Sequence, residues 1–227
     1  MLPGVTPNLA RAIEHTLLSP AALREDVERL AVEAIEHGFH GVCVNTLHVA
    51  LAARALAGSG VAVVAVAGFP LGGSVAGAVA HEAGLAATDG AVEVDIVLPL
   101  TLALARDFRG VRDHVALVRA ALPGRTLKLI LETGSLPDAL WADVCEAALD
   151  AGVDFLKTST GFGPRGASVA DVLRLRELAR GRARIKASGG IRTRAFALEL
   201  LEAGAERLGT SSGLELVGAR AAGGAGY

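Results

Sequence analysis

Val153-Asp154-Phe155-Leu156-Lys157-Thr158-Ser159-Thr160-Gly161-Phe162 reads as a strand running into a glycine loop, with a lysine set among apolar and β-branched residues. Arg184-Ile185-Lys186-Ala187-Ser188-Gly189-Gly190 has the same form further along the chain. The chain holds three lysines, Lys128, Lys157 and Lys186, against 19 arginines, and all three stand inside apolar strand-like runs. Arginine cannot give up its proton in a protein, whereas a buried lysine can. One reading therefore makes at least one of these lysines a neutral amine, able to form a Schiff base with an aldehyde or ketone. The other pairs all three with carboxylates for structural reasons. Lysine placement alone leaves both readings open.

Outward from these two stretches, apolar β-rich runs alternate with segments of helical period. Strands are predicted at Ala12–Leu17, Gly41–Asn45, Val61–Ala67, Val92–Leu98, Leu127–Glu132, Asp154–Ser159, Arg184–Ser188 and Glu206–Thr210. Between them lie helical patterns, the first with Ser19-Pro20 as N-cap and N1, another opened by a Ser168/Asp171 capping box. Eight strands alternating with helices in 227 residues fit a single-domain TIM (β/α)8 barrel over residues 1–227 better than an open doubly wound sheet. Only a short helical piece near Leu214–Val217 follows the last strand, and the Gly/Ala-rich segment 218–227 is expected to be a flexible tail.

Composition narrows the function. The net charge is −2 and no basic block occurs, which argues against nucleic acid as the main partner. Cys43 and Cys145 are too few for a disulfide framework, and the six histidines lack zinc-like spacing, so neither metal nor cofactor is expected. The longest apolar run is too short to span a bilayer, and no secretory signal is seen. A soluble, cytoplasmic protein is the simplest expectation.

A barrel places its active site at the C-terminal ends of its strands. Alternation puts Lys157 with Phe155 and Ser159 on one face, Lys186 with Ser188, Glu93 with Asp95, and Lys128 with Glu132. Inward-facing Lys157 and Lys186 would then be neighbours on adjacent strands, about 4.8 Å apart. Lowering a lysine pKa from about 10.4 to about 7 takes roughly 4.6 kcal/mol. A like charge about 4 Å away supplies on the order of 4 kcal/mol at an effective dielectric of 20. Lys186 is thus a sufficient perturber of Lys157, while the alternative pairs the lysines with Asp95 and Glu132. The loops Ser188-Gly189-Gly190-Ile191-Arg192 and Gly209-Thr210-Ser211-Ser212-Gly213 follow the seventh and eighth strands, where barrels commonly bind phosphate.

These residues resemble the signatures of deoxyribose-phosphate aldolase. The resemblance rests on Lys157-Thr158-Ser159-Thr160-Gly161-Phe162, Lys186-Ala187-Ser188-Gly189-Gly190-Ile191-Arg192-Thr193 and Glu93-Val94-Asp95. Ile13-Glu14-His15-Thr16-Leu17-Leu18, Val42-Cys43-Val44-Asn45, Gly68-Phe69-Pro70-Leu71-Gly72 and Lys128-Leu129-Ile130-Leu131-Glu132-Thr133 extend it in the right order. It implies a metal-free class I aldolase that reversibly cleaves 2-deoxy-D-ribose 5-phosphate to D-glyceraldehyde 3-phosphate and acetaldehyde. It implies Lys157 as the Schiff-base lysine, Lys186 as the lysine that lowers its pKa, and Asp95 as the acid/base acting through water. Gly161, Gly189, Gly190, Arg192, Ser211 and Ser212 fall where the family holds phosphate. Thr16, Cys43, Lys128 and Tyr227 are accessory candidates, and the expected partners are the sugar phosphate, acetaldehyde and further copies of the chain as a dimer or tetramer.

Two departures stand out: Glu14 replaces the family's usual aspartate, and Pro164-Arg165 replaces smaller residues, with Arg165 expected to face solvent. Some family members end in a tyrosine that assists proton transfer beside the imine. Tyr227 is this chain's only tyrosine, and nine residues from Gly218 can span up to roughly 30 Å, enough to cross the barrel's top. Rival readings are a Schiff-base aldolase using another donor and a sugar-phosphate binding protein without catalysis.

Overall fold

Strands of an all-parallel sheet are covered by helices on one side and, in a barrel, by each other on the other side, which is why these strands stay free of solvent-facing polar alternation. The computed structural model describes residues 8–219. Its strands are β1 (Ile13–Leu17), β2 (Gly41–Asn45), β3 (Ala62–Ala67), β4 (Glu93–Val97), β5 (Thr126–Ile130), β6 (Phe155–Lys157), β7 (Arg184–Ser188) and β8 (Arg207–Thr210). Each pairs in parallel with the next, and β8 returns to β1 with Leu208 opposite Ile13, closing the sheet. The helices are α1 (Leu9–Ala12), α2 (Arg24–Glu36), α3 (Val49–Ala55), α4 (Ala76–Thr88), α5 (Leu100–Leu104), α6 (Phe108–Ala120), α7 (Trp141–Asp150), α8 (Val169–Ala179), α9 (Arg194–Ala203) and α10 (Gly213–Val217). This is the expected TIM barrel.

Alternation along the strands sorts side chains into two regions. Val42, Val44, Ala65, Val94, Ile96, Leu127, Leu129, Leu156, Ile185 and Leu208 face outward into the main core beneath the helices. Burying each of the larger aliphatic side chains contributes about 1.5–3 kcal/mol. Cys43, Val64 and Val66, with Leu18 and Phe69 against them, form a separate apolar cluster on the inner wall of β2 and β3. Much of the remaining interior is charged, with Glu14, Glu93, Asp95, Lys128, Lys157 and Lys186 all buried. Phe155 fills it below, with the Arg184 guanidinium 4.0 Å from its ring centre.

Some local expectations are corrected. The first long helix starts at Arg24, not at Ser19-Pro20, which forms a turn. Ser19 Oγ accepts from Ala21 N within that turn, while the Leu23 N–H is taken by Asp26, whose carboxylate closes the helix's first turn. Ser168 does cap α8, accepting from Asp171 N, but the capping box is not reciprocal because the Asp171 carboxylate serves Thr133 and Arg165. Thr46–His48 is a 3₁₀ turn, so the helix that follows begins at Val49. α1 and α5 were not anticipated; each is only a turn or so long and carries little periodic signal. Strands β5 and β6 end earlier than expected because their last residues bend away into the loops that build the site. Gly218 belongs to the C-cap of α10 at φ 78°, and the Ala219 N–H donates to Leu214 O, so these two residues are part of the fold; the rest of the expected tail, 220–227, lies outside the described residues.

Candidate active site

Register fixes which side chains meet. Asp95 on β4 stands opposite Lys128 on β5, and Lys157 on β6 opposite Lys186 on β7. On β8 Gly209 pairs with Ser188, and a Cβ there would sit 3.2 Å from Lys186 Cε, so glycine makes room for the lysine to cross the interior. Asp95 is the hub. Its Oδ1 accepts from Lys128 Nζ at 2.8 Å, and its Oδ2 accepts from both Lys157 Nζ at 2.8 Å and Lys186 Nζ at 2.6 Å. Glu14 on β1 is a second acid: it accepts from Lys186 and lies 3.4 Å from Lys128 Nζ. Glu93, one layer lower on β4, is 2.6 Å from Lys128 Nζ and 2.9 Å from His40 Nε2. Glu14, Asp95, Lys128 and Lys186 are wholly inaccessible, and Lys157 is 3% exposed.

The electrostatics divide the three lysines. Burial works against each charge, since a charge loses its hydration there. For Lys186, the carboxylates of Asp95 and Glu14 outweigh burial and hold the ammonium well above its ordinary range. For Lys128, Asp95, Glu14 and Glu93 also outweigh burial, and its pKa is raised. Lys157 has Asp95 as its one carboxylate neighbour, and burial together with the Lys186 charge wins, so its pKa is lowered. Asp95 is likewise penalised by burial, yet Lys128, Lys157 and Lys186 hold it well below the usual carboxylate range. The sequence-based ranking is thus adjusted in one respect: burial is the first cause of the Lys157 shift, with Lys186 the principal charge behind it. The expected pairing with Glu132 is replaced by pairing with Glu14, the residue whose role the sequence left in doubt. Glu14, Cys43 and Asp95 bring ligand-type atoms within 4.8 Å of one another, as do Glu14, His40 and Glu93, but Lys186 and Lys128 supply the positive charge among them.

Above the lysines opens a cavity of about 600 Å³. Lys157 reaches its floor, and Gly161, Gly189, Gly190, Arg192, Ser211 and Ser212 all line it, as does Thr16. Asp95, Lys128 and Lys186 lie beneath. The glycine loops pack backbone to backbone: a side chain on Gly166 would collide with the Gly189 carbonyl, and the Ala167 N–H donates to Ser188 O and Gly189 O at 3.1 Å. Gly161 and Gly189 sit at φ 89° and 85°. Cys43 is buried in the inner wall, where burial pushes its thiol up to about 11. Arg165 does not simply face solvent: its guanidinium forks onto Asp171 and donates to Thr133 O at 3.2 Å. Tyr227 lies outside the described residues.

A buried amine of suppressed basicity, opening into a cavity rimmed by glycine amides and hydroxyls at the top of a (β/α)8 barrel, defines a lysine-dependent lyase-type site. Comparison with known proteins agrees. The chain belongs to the DeoC/LacD family of aldolases, whose family model matches residues 10–218. A deoxyribose-phosphate aldolase of Thermus thermophilus is 50% identical over 210 residues, covering 92% of this chain and 96% of the relative. One from Deinococcus radiodurans is 47% identical with the same coverage. Among solved structures, an aldolase named QR15 superposes with a TM-score of 0.89 at 36% identity, covering 92% of this chain and 94% of that one. The deoxyribose phosphate aldolase of Aeropyrum pernix, described as having a unique tetrameric structure, gives 0.84 at 34% identity, covering 92% and 89%. Among the described residues no helix is long and apolar enough to cross a membrane.

Proposed function

We propose that this chain is a deoxyribose-phosphate aldolase in which Lys157 is the Schiff-base residue. The reaction is reversible cleavage of 2-deoxy-D-ribose 5-phosphate to D-glyceraldehyde 3-phosphate and acetaldehyde. The observation that carries the assignment of Lys157 is its position: of the three lysines it alone reaches the cavity, and it alone has a lowered pKa. A neutral amine keeps two N–H groups for Asp95 and a lone pair for the substrate's C1 carbonyl. Addition gives a carbinolamine, which loses water to form the imine; Asp95, acting through water, carries the protons of that step, while Lys186 keeps the amine's pKa low. The C3 hydroxyl then loses its proton, the C2–C3 bond breaks, and its electrons pass into the imine as an enamine. Glyceraldehyde 3-phosphate leaves. Protonation at C2 and hydrolysis release acetaldehyde and restore the amine.

The 5-phosphate is held by Gly161, Gly189, Gly190, Arg192, Ser211 and Ser212, which ring the cavity above Lys157. The apolar cluster of Cys43, Val64 and Val66 reaches the cavity through Leu18, which suits a donor that ends in a methyl group. Lys128 and Glu14 keep the Asp95 carboxylate and the Lys186 ammonium ionised. Thr16 lines the cavity but donates its hydroxyl to Glu14 O, within its own strand. Tyr227 is proposed, on the family resemblance, to protonate the enamine. We also propose a cytoplasmic homo-oligomer, dimer or tetramer, in keeping with two free buried thiols and with the tetrameric relative. Analytical ultracentrifugation tests the assembly. Borohydride reduction in the presence of acetaldehyde, followed by peptide mapping, tests the chemistry: label is expected on Lys157, and label confined to Lys128 or Lys186 refutes the assignment.

A further inference from the structure

Among the buried acids at the top of the barrel, Glu132 stands apart from the lysine network. It is 5% exposed and follows the end of β5 at φ 53°, a left-handed conformation that a non-glycine residue rarely adopts. Its Oε2 accepts from both the hydroxyl and the amide of Thr160, the latter at 3.3 Å. Thr160 Oγ1 in turn accepts from Phe162 N at 3.0 Å. The carboxylate therefore holds the Thr160 side chain, and Thr160 holds the turn through Gly161 to Phe162. Glycine at 163 is part of the same arrangement: a Cβ there would stand 2.6 Å from Glu132 Cδ. A residue in an unfavourable backbone conformation and a neighbour stripped of its side chain serve one contact. The turn they shape is the wall of the cavity on which Gly161 meets Gly189, and among the described residues the amides of Gly161 and Gly190 donate to no protein acceptor.

We propose that Glu132 is a positioning residue for the phosphate-binding turn, setting affinity for the substrate's 5-phosphate while taking no part in the lysine chemistry. The inference rests on the phosphate assignment given above. It explains why this acid is spent on a threonine hydroxyl: with that hydroxyl and the Phe162 amide occupied by each other, the Gly161 amide is left to face the cavity. Glutamine at 132 keeps a carbonyl oxygen for Thr160, whereas alanine keeps nothing.

The test compares Glu132→Gln, Glu132→Ala and Gly163→Ala, using deoxyribose 5-phosphate and unphosphorylated deoxyribose. Glu132→Ala should raise KM for the phosphorylated substrate by roughly 10-fold or more, the scale of losing a buried hydrogen-bond partner. Its activity on deoxyribose should fall far less, and the acid limb of its pH–rate profile should not move. Glu132→Gln should recover most of the affinity. Gly163→Ala, which leaves the acid in place but crowds it, should reproduce the alanine phenotype and serves if Glu132→Ala fails to fold. Equal losses on both substrates, or a displaced pH limb, overturns the proposal. Borohydride trapping of each variant separates the two levels: failure to label Lys157 in the wild-type protein refutes the aldolase assignment, whereas intact labelling with no phosphate-dependent difference refutes only the role of Glu132.

Discussion

Lys157 and Lys186 are the same residue type on adjacent strands, yet the charged form is favoured at Lys186 and disfavoured at Lys157. The difference lies in carboxylate count: Lys186 has Asp95 and Glu14, while Lys157 has Asp95 alone. Lys157→Arg should therefore lose activity by several orders of magnitude in steady-state assays although the charge is retained, because a guanidinium cannot act as the neutral amine. Lys186→Leu changes the balance in a defined direction. It removes a positive neighbour and leaves the Glu14 charge with only Lys128 beside it, so the Lys157 ammonium is favoured and its pKa rises. The acid-side limb of kcat/KM should move to higher pH in whatever activity remains. A reduced rate with an unmoved limb would assign Lys186 to direct proton transfer instead. At this scale the lysines and Asp95 were legible because polar residues inside apolar strands are conspicuous. Glu14 was legible only in part: a closed barrel implies β1 beside β8, but the sequence does not show that the Glu14 side chain reaches Lys186 on β7. The partner of Glu132 was hidden for a similar reason: its strand ends two residues before it, and the alternation that placed it beside Lys128 no longer applies.

Among the elements, the loops after β6 and β7 act as one unit because their glycines touch. Gly190 has open space around its Cα, so Gly190→Ala meets only the backbone strain of φ 75°, on the order of 1 kcal/mol. Gly166 has no such latitude, since any side chain would strike the Gly189 carbonyl. Gly166→Ala should therefore damage use of the phosphorylated substrate far more than Gly190→Ala, a contrast that KM measurements on the two variants would expose. Similar values would mean that the loops move independently. Strand and helix order was readable because parallel buried strands and amphipathic helices have different periods. The helix starts were less so: Ser19-Pro20 has the composition of a cap, but Asp26 reaches back to Leu23 and sets the start four residues later. The ends of β5 and β6 were overestimated because their strand-like composition continues past Ile130 and Lys157, where the regular strands stop.

The barrel as a whole carries its charges at its centre, which ties stability to pH. Asp95 and Glu93 have depressed folded pKa values, Glu93 through His40 and Lys128 overcoming its burial. Their contribution is present above the unfolded carboxylate range of about 4 and is lost as the pH falls below it. Lys128 and Lys186, with raised values, contribute below about pH 10.4 and lose that contribution only as the pH climbs through their folded values. Lys157 has the opposite sign: its lowered pKa makes it a cost to the fold at neutral pH. Lys128→Met, which leaves Glu93 with His40 alone and takes the partner from Asp95 Oδ1, should lower unfolding free energy by about 3–5 kcal/mol in urea titrations. Lys157→Met should abolish activity with no comparable loss of stability; equal destabilisation would show that Lys157 is a structural ion-pair partner. The pair between Glu14 and Lys186 also links residues 172 apart in sequence. During synthesis, Glu14 leaves the ribosome long before β7, whose Lys186 ammonium neutralises it. Until β7 and β8 arrive, the ionised carboxylate must remain in water, since burying it unpaired is too costly. The low-pKa amine consequently has no precursor on a partial chain: the nascent protein becomes an enzyme in the same step that shuts the cylinder.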